Sequence, residues 1–139
     1  MTKFDFRLEK VLEYRKLVEQ WAKDAYLDAK SNRIEAEAVS LGLNQVRTSL
    51  LAETVMTIDD CQVLDLRLTL VEDQIYHQKL IIDVLESEED AAKEQWIARR
   101  METKGLEVLR GKALDEWQLE MSRKEQSDLD EWSVQRRAA

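Results

Sequence analysis

Apolar residues recur along the first third of the chain at alternating steps of three and four residues. All positions of this ladder are apolar except Arg15 and Asn32. The ladder consists of Leu8, Val11, Arg15, Val18, Ala22, Ala25, Ala29, Asn32, Ala36, Val39, Leu43, Val46 and Leu50. Steps of three and four average about 3.5 residues, the period of a helix that wraps around a partner helix. The pattern therefore predicts a first helix from about residue 6 to about residue 51, with an alanine-rich centre that lets a partner helix approach closely.

A second ladder with the same period occupies the middle of the chain. Eight of its ten positions are apolar, and Gln78 and Glu89 are the exceptions. It consists of Leu64, Leu68, Val71, Ile75, Gln78, Ile82, Leu85, Glu89, Ala92 and Trp96. Less regular apolar positions follow it, namely Leu106, Leu109, Ala113, Trp117 and Met121. These positions predict a second helix from about residue 58 to about residue 135.

The stretch 52–60 between the ladders is the expected chain reversal. It is rich in β-branched and short polar residues, and Thr57 with Asp60 resembles a capping box at the start of a helix. Because neither glycine nor proline marks the turn, one continuous helix paired with a second chain is the alternative.

The two ladders predict an all-α fold, a long antiparallel two-helix coiled coil (an α-helical hairpin) that forms a single elongated domain over residues 1–139. With the reversal near residue 56, Leu8 would face roughly residue 104. The rest of the second helix would then project without a partner in the chain, carrying Trp117 and Trp132. Because exposed apolar surface of this size usually marks a binding site, we expect this projecting helix to bind a partner.

Composition supports this architecture and argues against catalysis. The chain has no proline, three glycines and 36% charged residues, which is typical of long coiled coils and leaves little interior for an enclosed substrate pocket. One histidine and one cysteine cannot assemble a zinc site alone, and no phosphate-binding glycine loop occurs. We therefore expect no enzyme activity, no cofactor and no metal.

Charge and hydropathy narrow the classes of partner. The net charge is −8 and nearly all of the excess lies in residues 31–90, so nucleic-acid binding is not expected. No apolar run approaches the roughly 20 residues of a membrane span, and no signal-peptide pattern is present. We expect a cytoplasmic protein, and the single Cys61 agrees with a reducing compartment.

Motifs at both ends and between them resemble the flagellar FliJ family. The opening Phe4-Asp5-Phe6-Arg7-Leu8, followed by Val11-Leu12 and Arg15, is similar to that family's start, with two aromatics one residue apart, a leucine, a Val-Leu pair and an arginine. The stretch 123–132, RKEQSDLDEW, is similar to its ending, and Arg99-Arg100 with 106–110, LEVLR, resembles its middle. Injectisome stalk proteins have a similar plan and ending, but the double-aromatic opening favours the flagellar branch.

The resemblance implies a two-helix coiled coil similar to the stalk of the rotary ATP synthase gamma subunit. It also implies a non-enzymatic part of the type III export apparatus that inserts its paired chain ends into the centre of a hexameric export ATPase and promotes its assembly and activity. Such a protein touches the cytoplasmic linker of the export gate, escorts substrate chaperones, and lies at the cytoplasmic face of the inner membrane through protein contacts alone. An injectisome stalk protein and a purely structural scaffold or tether are the alternatives.

The resemblance and the ladders together select candidate site residues. For ATPase binding they are Phe4, Phe6, Arg123, Gln126, Leu129, Asp130 and Trp132. The alternative for Phe4 and Phe6 is that they pack locally at a helix start. For export-gate binding the candidates are Leu66, Leu70 and His77, because they lie off the second ladder. Their alternative role is in a broader hairpin core.

Two polar residues interrupt the first ladder. A polar residue at an inward position of a coiled coil commonly fixes the register of the helices, and we expect this role for Asn32. Arg15 lies near the predicted open end, where its stem can pack while its head group reaches water.

Overall fold

The computed structural model describes residues 3–138, which form two long α-helices. Helix α1 is Glu9–Leu51 and helix α2 is Ile58–Ala138. No β-strand occurs in residues 3–138, so the predicted all-α class is confirmed. Because α1 ends before α2 begins, one continuous helix through residues 52–57 is excluded. Residues 1, 2 and 139 of the expected domain lie outside the described part of the chain.

The chain divides into two compact units. Unit 1 comprises Met1–Gln20 and Ile97–Ala139, and unit 2 comprises Trp21–Trp96. In unit 1 Glu9 pairs with Arg110 and Arg15 with Glu102. Residue numbers thus rise on α1 as they fall on α2, so within unit 1 the helices pack antiparallel.

Unit 2 has the same antiparallel order. Tyr26 stacks on Trp96 with ring centroids 5.5 Å apart, Arg33 pairs with Glu89, and Arg47 pairs with Glu72. In each unit the helices bury a narrow stripe against one another, and there is no third layer.

The second ladder predicts the inward face of α2 correctly. Every ladder position from Leu64 to Trp96 is buried or half-buried. The same period then continues through Arg99, Thr103, Leu106, Arg110 and Ala113, all of them buried or half-buried. Leu109, which the irregular pattern suggested as inward, is half exposed. The 3.5-residue periodicity of the inward face therefore persists beyond Trp96, where the inward residues are more often polar.

The first ladder is right at every second position and also at Val18, which is half-buried, and it is one residue out at Val11, Ala25, Asn32 and Val39. Leu8, Arg15, Ala22, Ala29, Ala36, Leu43 and Leu50 are buried or half-buried as predicted. Between them the less exposed residue is Leu12 rather than Val11, Tyr26 rather than Ala25, and Ser40 rather than Val39. Leu12, only 1% exposed, is the most completely buried large side chain. At Tyr26 the facing helix accounts for the choice, because the Tyr26 ring stacks on Trp96 of α2.

This shift corrects the prediction for Asn32, which is exposed, while Arg33 takes the inward position. The Arg33 guanidinium donates hydrogen bonds to both carboxylate oxygens of Glu89 and, at 2.9 Å, to Glu37. These hydrogen bonds raise the pKa of Arg33, chiefly through Glu89. Nearby, Gln78 donates a 2.9 Å hydrogen bond to the carbonyl of Ala36, whose small side chain leaves the α1 backbone accessible. Arg33 and Gln78 thus both have hydrogen-bond partners on the facing helix.

The predicted cap at the start of α2 is confirmed. The backbone N–H of Asp60 donates to Thr57 Oγ1 at 3.1 Å, satisfying one of the free donors of the first turn. We expect Thr57→Ala to lower the free energy of unfolding by about 1 kcal/mol, and Thr57→Ser to leave it nearly unchanged. Urea unfolding followed by circular dichroism measures both, and equal losses in the two variants would contradict the role of the hydroxyl.

Candidate binding surfaces at the chain ends and on the second helix

The residues before α1 form an ordered strap along α2, which we call the N-terminal strap, residues 3–8. Phe6 is 9% exposed and Phe4 is half-buried. The Phe4 ring packs against Trp117 with centroids 5.7 Å apart and planes tilted by 59°. Of the two phenylalanines predicted to bind an ATPase, Phe4 therefore lies against the chain's own second helix and Phe6 is buried.

The strap is not helical, because in a helix its two aromatic side chains would not point inward. In the register of α1, the inward position before Leu8 would be Asp5, and Phe4 and Phe6 would flank it. Because the chain is not helical here, the Phe4 ring can pack against Trp117 of α2 instead. The amide of Glu9 donates to the Phe6 carbonyl at 3.0 Å, which closes the turn into α1. Helix α1 consequently starts at Glu9, later than the sequence pattern suggested.

Pairing extends further along α2 than the ladders predicted. The ladders placed Leu8 opposite about residue 104, but Glu9 at the start of α1 already pairs with Arg110, and Phe4 of the strap reaches Trp117. From Glu9 back to Phe4 the strap uses five residues to pass the seven residues between Arg110 and Trp117. This reach is possible because an extended residue advances by about 3.3 Å and a helical one by only 1.5 Å.

Arg110 connects the strap to the first turn of α1. Its Nε donates to Glu9 Oε2 at 2.8 Å, and its guanidinium carbon lies 5.4 Å from the centroid of the Phe4 ring. One cation therefore makes an ion pair with α1 and a cation–π contact with the strap.

The last twenty described residues form the C-terminal segment, residues 119–138. It is helical throughout, and every residue from 122 to 138 except Ser133 is exposed. Trp132 is 57% exposed although it is the largest side chain there, and the Arg136 guanidinium lies 5.1 Å from its ring centroid. Gln126 donates to Asp130 at 3.2 Å along the same helix.

The candidate residues of the C-terminal segment lie on two opposite faces. A shallow groove runs along one face, lined by Arg123, Gln126, Ser127, Asp130, Glu131, Val134 and Gln135. Leu129 and Trp132 lie on the other side of the helix, since nine residues at 100° each separate Arg123 from Trp132 by half a turn. Residues 122–138 contain four basic and four acidic side chains, so the segment is electrically balanced.

In unit 2 the gate-binding candidates share an exposed face of α2. Leu66 and Leu70 are 71% and 60% exposed, and His77 is also exposed, with its ring near that of Tyr76. They follow one another at helical spacing, so all three point away from the inward stripe. The alternative that they belong to a broader core does not fit these exposures.

This face is longer than the sequence reading suggested. Val63, Leu80 and Val84 are each about half exposed and lie on it too, and we call the set of Val63, Leu66, Leu70, Asp73, His77, Leu80 and Val84 the outer face of α2. The sequence carries a signal for these residues, because they form a further ladder on α2 with steps of three and four, in addition to the second ladder.

Comparison with known proteins identifies the family. The sequence pattern of the family described as "Flagellar FliJ protein" matches residues 4–139, essentially the whole chain. The chain belongs to the FliJ family. The resemblance read from the two chain ends is thereby confirmed, and it favours the flagellar branch over the injectisome branch. No curated protein and no solved structure matched the chain.

Membership of the FliJ family makes the chain a flagellar export-related stalk protein, of a family that is structural rather than enzymatic. Among residues 3–138, no three or more His, Cys, Asp or Glu side chains are grouped so as to hold a metal ion. Within the same residues, neither helix is long and apolar enough to cross a membrane.

Proposed function

We propose that this FliJ-family protein binds the centre of a hexameric export ATPase through its C-terminal segment, and promotes assembly and activity of the ring without catalysing a reaction. The observation that supports this proposal most directly is the C-terminal segment itself. It is a regular helix, almost fully exposed, whose apolar and polar candidate residues occupy opposite faces.

A helix that docks on one flat partner needs one binding face, and a two-faced helix does not suit that mode. A helix on the axis of a ring meets subunits on every side, so all of its faces are in contact. Leu129 and Trp132 would meet apolar side chains, and Arg123, Gln126 and Asp130 would bind polar groups. The balanced charge of the segment suits a ring lined by residues of both signs.

Phe4 and Phe6 enter the proposal through the N-terminal strap. Because the Phe4 ring lies against Trp117 of α2 and Phe6 is buried, they would support ATPase binding by fixing the base of the C-terminal segment. We further propose that the helices of each unit pack as a coiled coil, and that residues 122–138 project beyond the strap. The 3.5-residue period of the inward stripes and the exposure of that segment support these points.

The ATPase proposal is tested by measuring binding and ATP hydrolysis with the purified cognate export ATPase, comparing the full chain with a chain that ends at Gln118. Unchanged stimulation by the shortened chain would favour the alternative of a structural scaffold or tether.

We propose that the outer face of α2 binds the cytoplasmic linker of the export gate. Five of the seven residues of this face are apolar, and their helical spacing suits an amphipathic helix laid along it. Residues 58–96 carry eleven acidic and three basic side chains, so the fitting ligand has basic residues beside its apolar stripe. Export chaperones are further proposed partners, and location at the inner membrane would follow from these protein contacts.

We expect Leu66→Gln combined with Leu70→Gln to weaken binding of the gate linker at least about tenfold while helix content stays near normal, because both side chains are exposed. Fluorescence anisotropy of a labelled linker peptide measures the affinity, and circular dichroism measures the helix content.

The matched control is Met101→Gln with Val108→Gln, which changes two exposed apolar residues on α2 in unit 1, away from the outer face. Gate binding by this control should be normal. Equal weakening in both double variants, or a large loss of helicity in the first, would count against the outer face as the gate-binding surface.

A further inference from the structure

We infer that Arg110 is a positioning residue that latches the N-terminal strap onto α2 and so fixes the base from which the C-terminal segment extends. Its role in ATPase binding rests on the proposed function, whereas the latch itself does not.

The first argument is the position of Arg110 in the stripe. It occupies an inward position of α2 at the point where the covering chain changes from helix α1 to the extended strap. An aliphatic residue would pack there, but it could not hold two differently shaped segments at once. Arg110 reaches both, with Glu9 in the first turn of α1 and the Phe4 ring in the strap.

The second argument concerns the two contacts that the Phe4 ring makes with α2. The ring is half-buried, packs against Trp117 at a tilt of 59°, and has the Arg110 guanidinium 5.4 Å from its centroid. Phe6 is the more buried of the two strap aromatics and lies nearer α1 in sequence. Loss of the Arg110 cation removes one of these two contacts, so we expect the position of Phe4 on Trp117 to be sensitive to this side chain.

The third argument connects the latch to the C-terminal segment. Trp117 lies directly before this segment, and six residues of helix, about 9 Å, separate it from Arg123. Packing of Phe4 on Trp117 restrains the helix at that point. A loose strap would leave the start of the segment unsupported and would place a mobile chain end beside the ATPase contact.

The test uses the full chain with its four tryptophans replaced by fluorotryptophan, and the Trp117 fluorine signal is assigned by Trp117→Phe. We expect Arg110→Gln to shift this signal towards the position of free tryptophan and to leave the other three unchanged. Arg110→Lys, which keeps the cation, should restore most of the wild-type position.

Arg15→Gln is the matched control. The Arg15–Glu102 pair has the same 2.8 Å separation as Arg110–Glu9 and nearly the same exposure, with side chains 37% and 43% exposed against 38% and 39%. It contacts no strap aromatic ring, so its loss should leave the Trp117 signal in place. An unchanged Trp117 signal in Arg110→Gln, or an equal shift in Arg15→Gln, would overturn the latch.

A second readout addresses binding. Affinity for the purified export ATPase should fall about tenfold in Arg110→Gln and stay normal in Arg15→Gln. A released Trp117 with normal ATPase affinity would overturn the positioning role. If the wild-type chain does not bind the ATPase, the proposed function fails, and the fluorine signal alone then decides whether Arg110 holds the strap.

Discussion

A chain that ends at Gln118 is expected to lose all stimulation of the cognate export ATPase, leaving only the basal hydrolysis rate. The truncation removes Arg123, Gln126, Leu129, Asp130 and Trp132 together, the whole set proposed to contact the ring. A coupled assay of ATP hydrolysis, at increasing concentrations of the full and shortened chains, measures the effect directly. Size-exclusion chromatography of the ATPase with each chain reports whether hexamer assembly is lost as well.

The shortened chain should remain folded, because the removed residues are almost entirely exposed. The Phe4–Trp117 contact and the Arg110–Glu9 ion pair both precede the truncation and should persist. Trp132→Ala in the full chain is the finer variant, and we expect it to weaken binding about tenfold, as for a large aromatic residue at an interface. Full stimulation by the shortened chain would remove the C-terminal segment from the ATPase contact.

The period of the inward stripe was predictable from sequence, but its phase on α1 was only partly so. Two neighbouring positions compete at every second step, and at Val11 and Leu12 or Val39 and Ser40 hydropathy alone does not favour the residue that is buried. At Tyr26 the facing helix decides which of the two neighbouring residues is buried. Tyr26 turns inward because Trp96 offers a flat ring to stack on, which no pattern within α1 encodes.

The outer face of α2 was partly predictable from the sequence of α2 alone. Leu66 and Leu70 could be selected as surface residues because they lie off a strong apolar ladder, and they are exposed. The N-terminal strap was not predictable in the same way. The packing of Phe4 on Trp117 depends on the chain leaving helical geometry, and periodicity arguments assume that it does not.

Charged residues inside the stripe were the least predictable feature. A carboxylate or guanidinium at an inward position interrupts the apolar ladder of its own helix. Its partner lies on the other helix, so the pattern of one helix alone does not reveal the pair. Glu89 was an apparent break in the second ladder and Arg33 lay outside the first, yet they bind one another. Two residues that each look unfavourable are thus complementary as a pair.

We expect Glu89→Ala to lower the midpoint of thermal unfolding by about 5 °C or more, making it the most destabilising of the charge-removing variants. Glu89 and Arg33 are only 13% and 21% exposed, so removing the carboxylate leaves a poorly hydrated guanidinium with Glu37 as its remaining partner. Glu72→Ala is the matched control. It breaks the Arg47–Glu72 pair at 3.4 Å, where the side chains are about half exposed, and should change the midpoint by about 1 °C or less. Equal shifts in the two variants would contradict a special role for Glu89.

Replacing both Arg33 and Glu89 by leucine distinguishes the effect of this pair on stability from its effect on the register of the two helices. Arg33→Leu combined with Glu89→Leu should unfold at or above the wild-type temperature, because no charge is left without a partner and apolar contact is gained. The same variant should lose a unique register, since leucines can pack with more than one alignment of the helices. Spin labels at the exposed positions Ser31 and Asp90, in a background with Cys61→Ser, measure this as a broadened distance distribution within unit 2. A single narrow distance in the double-leucine variant would show that the alanine-rich stripe fixes the register without Arg33 and Glu89.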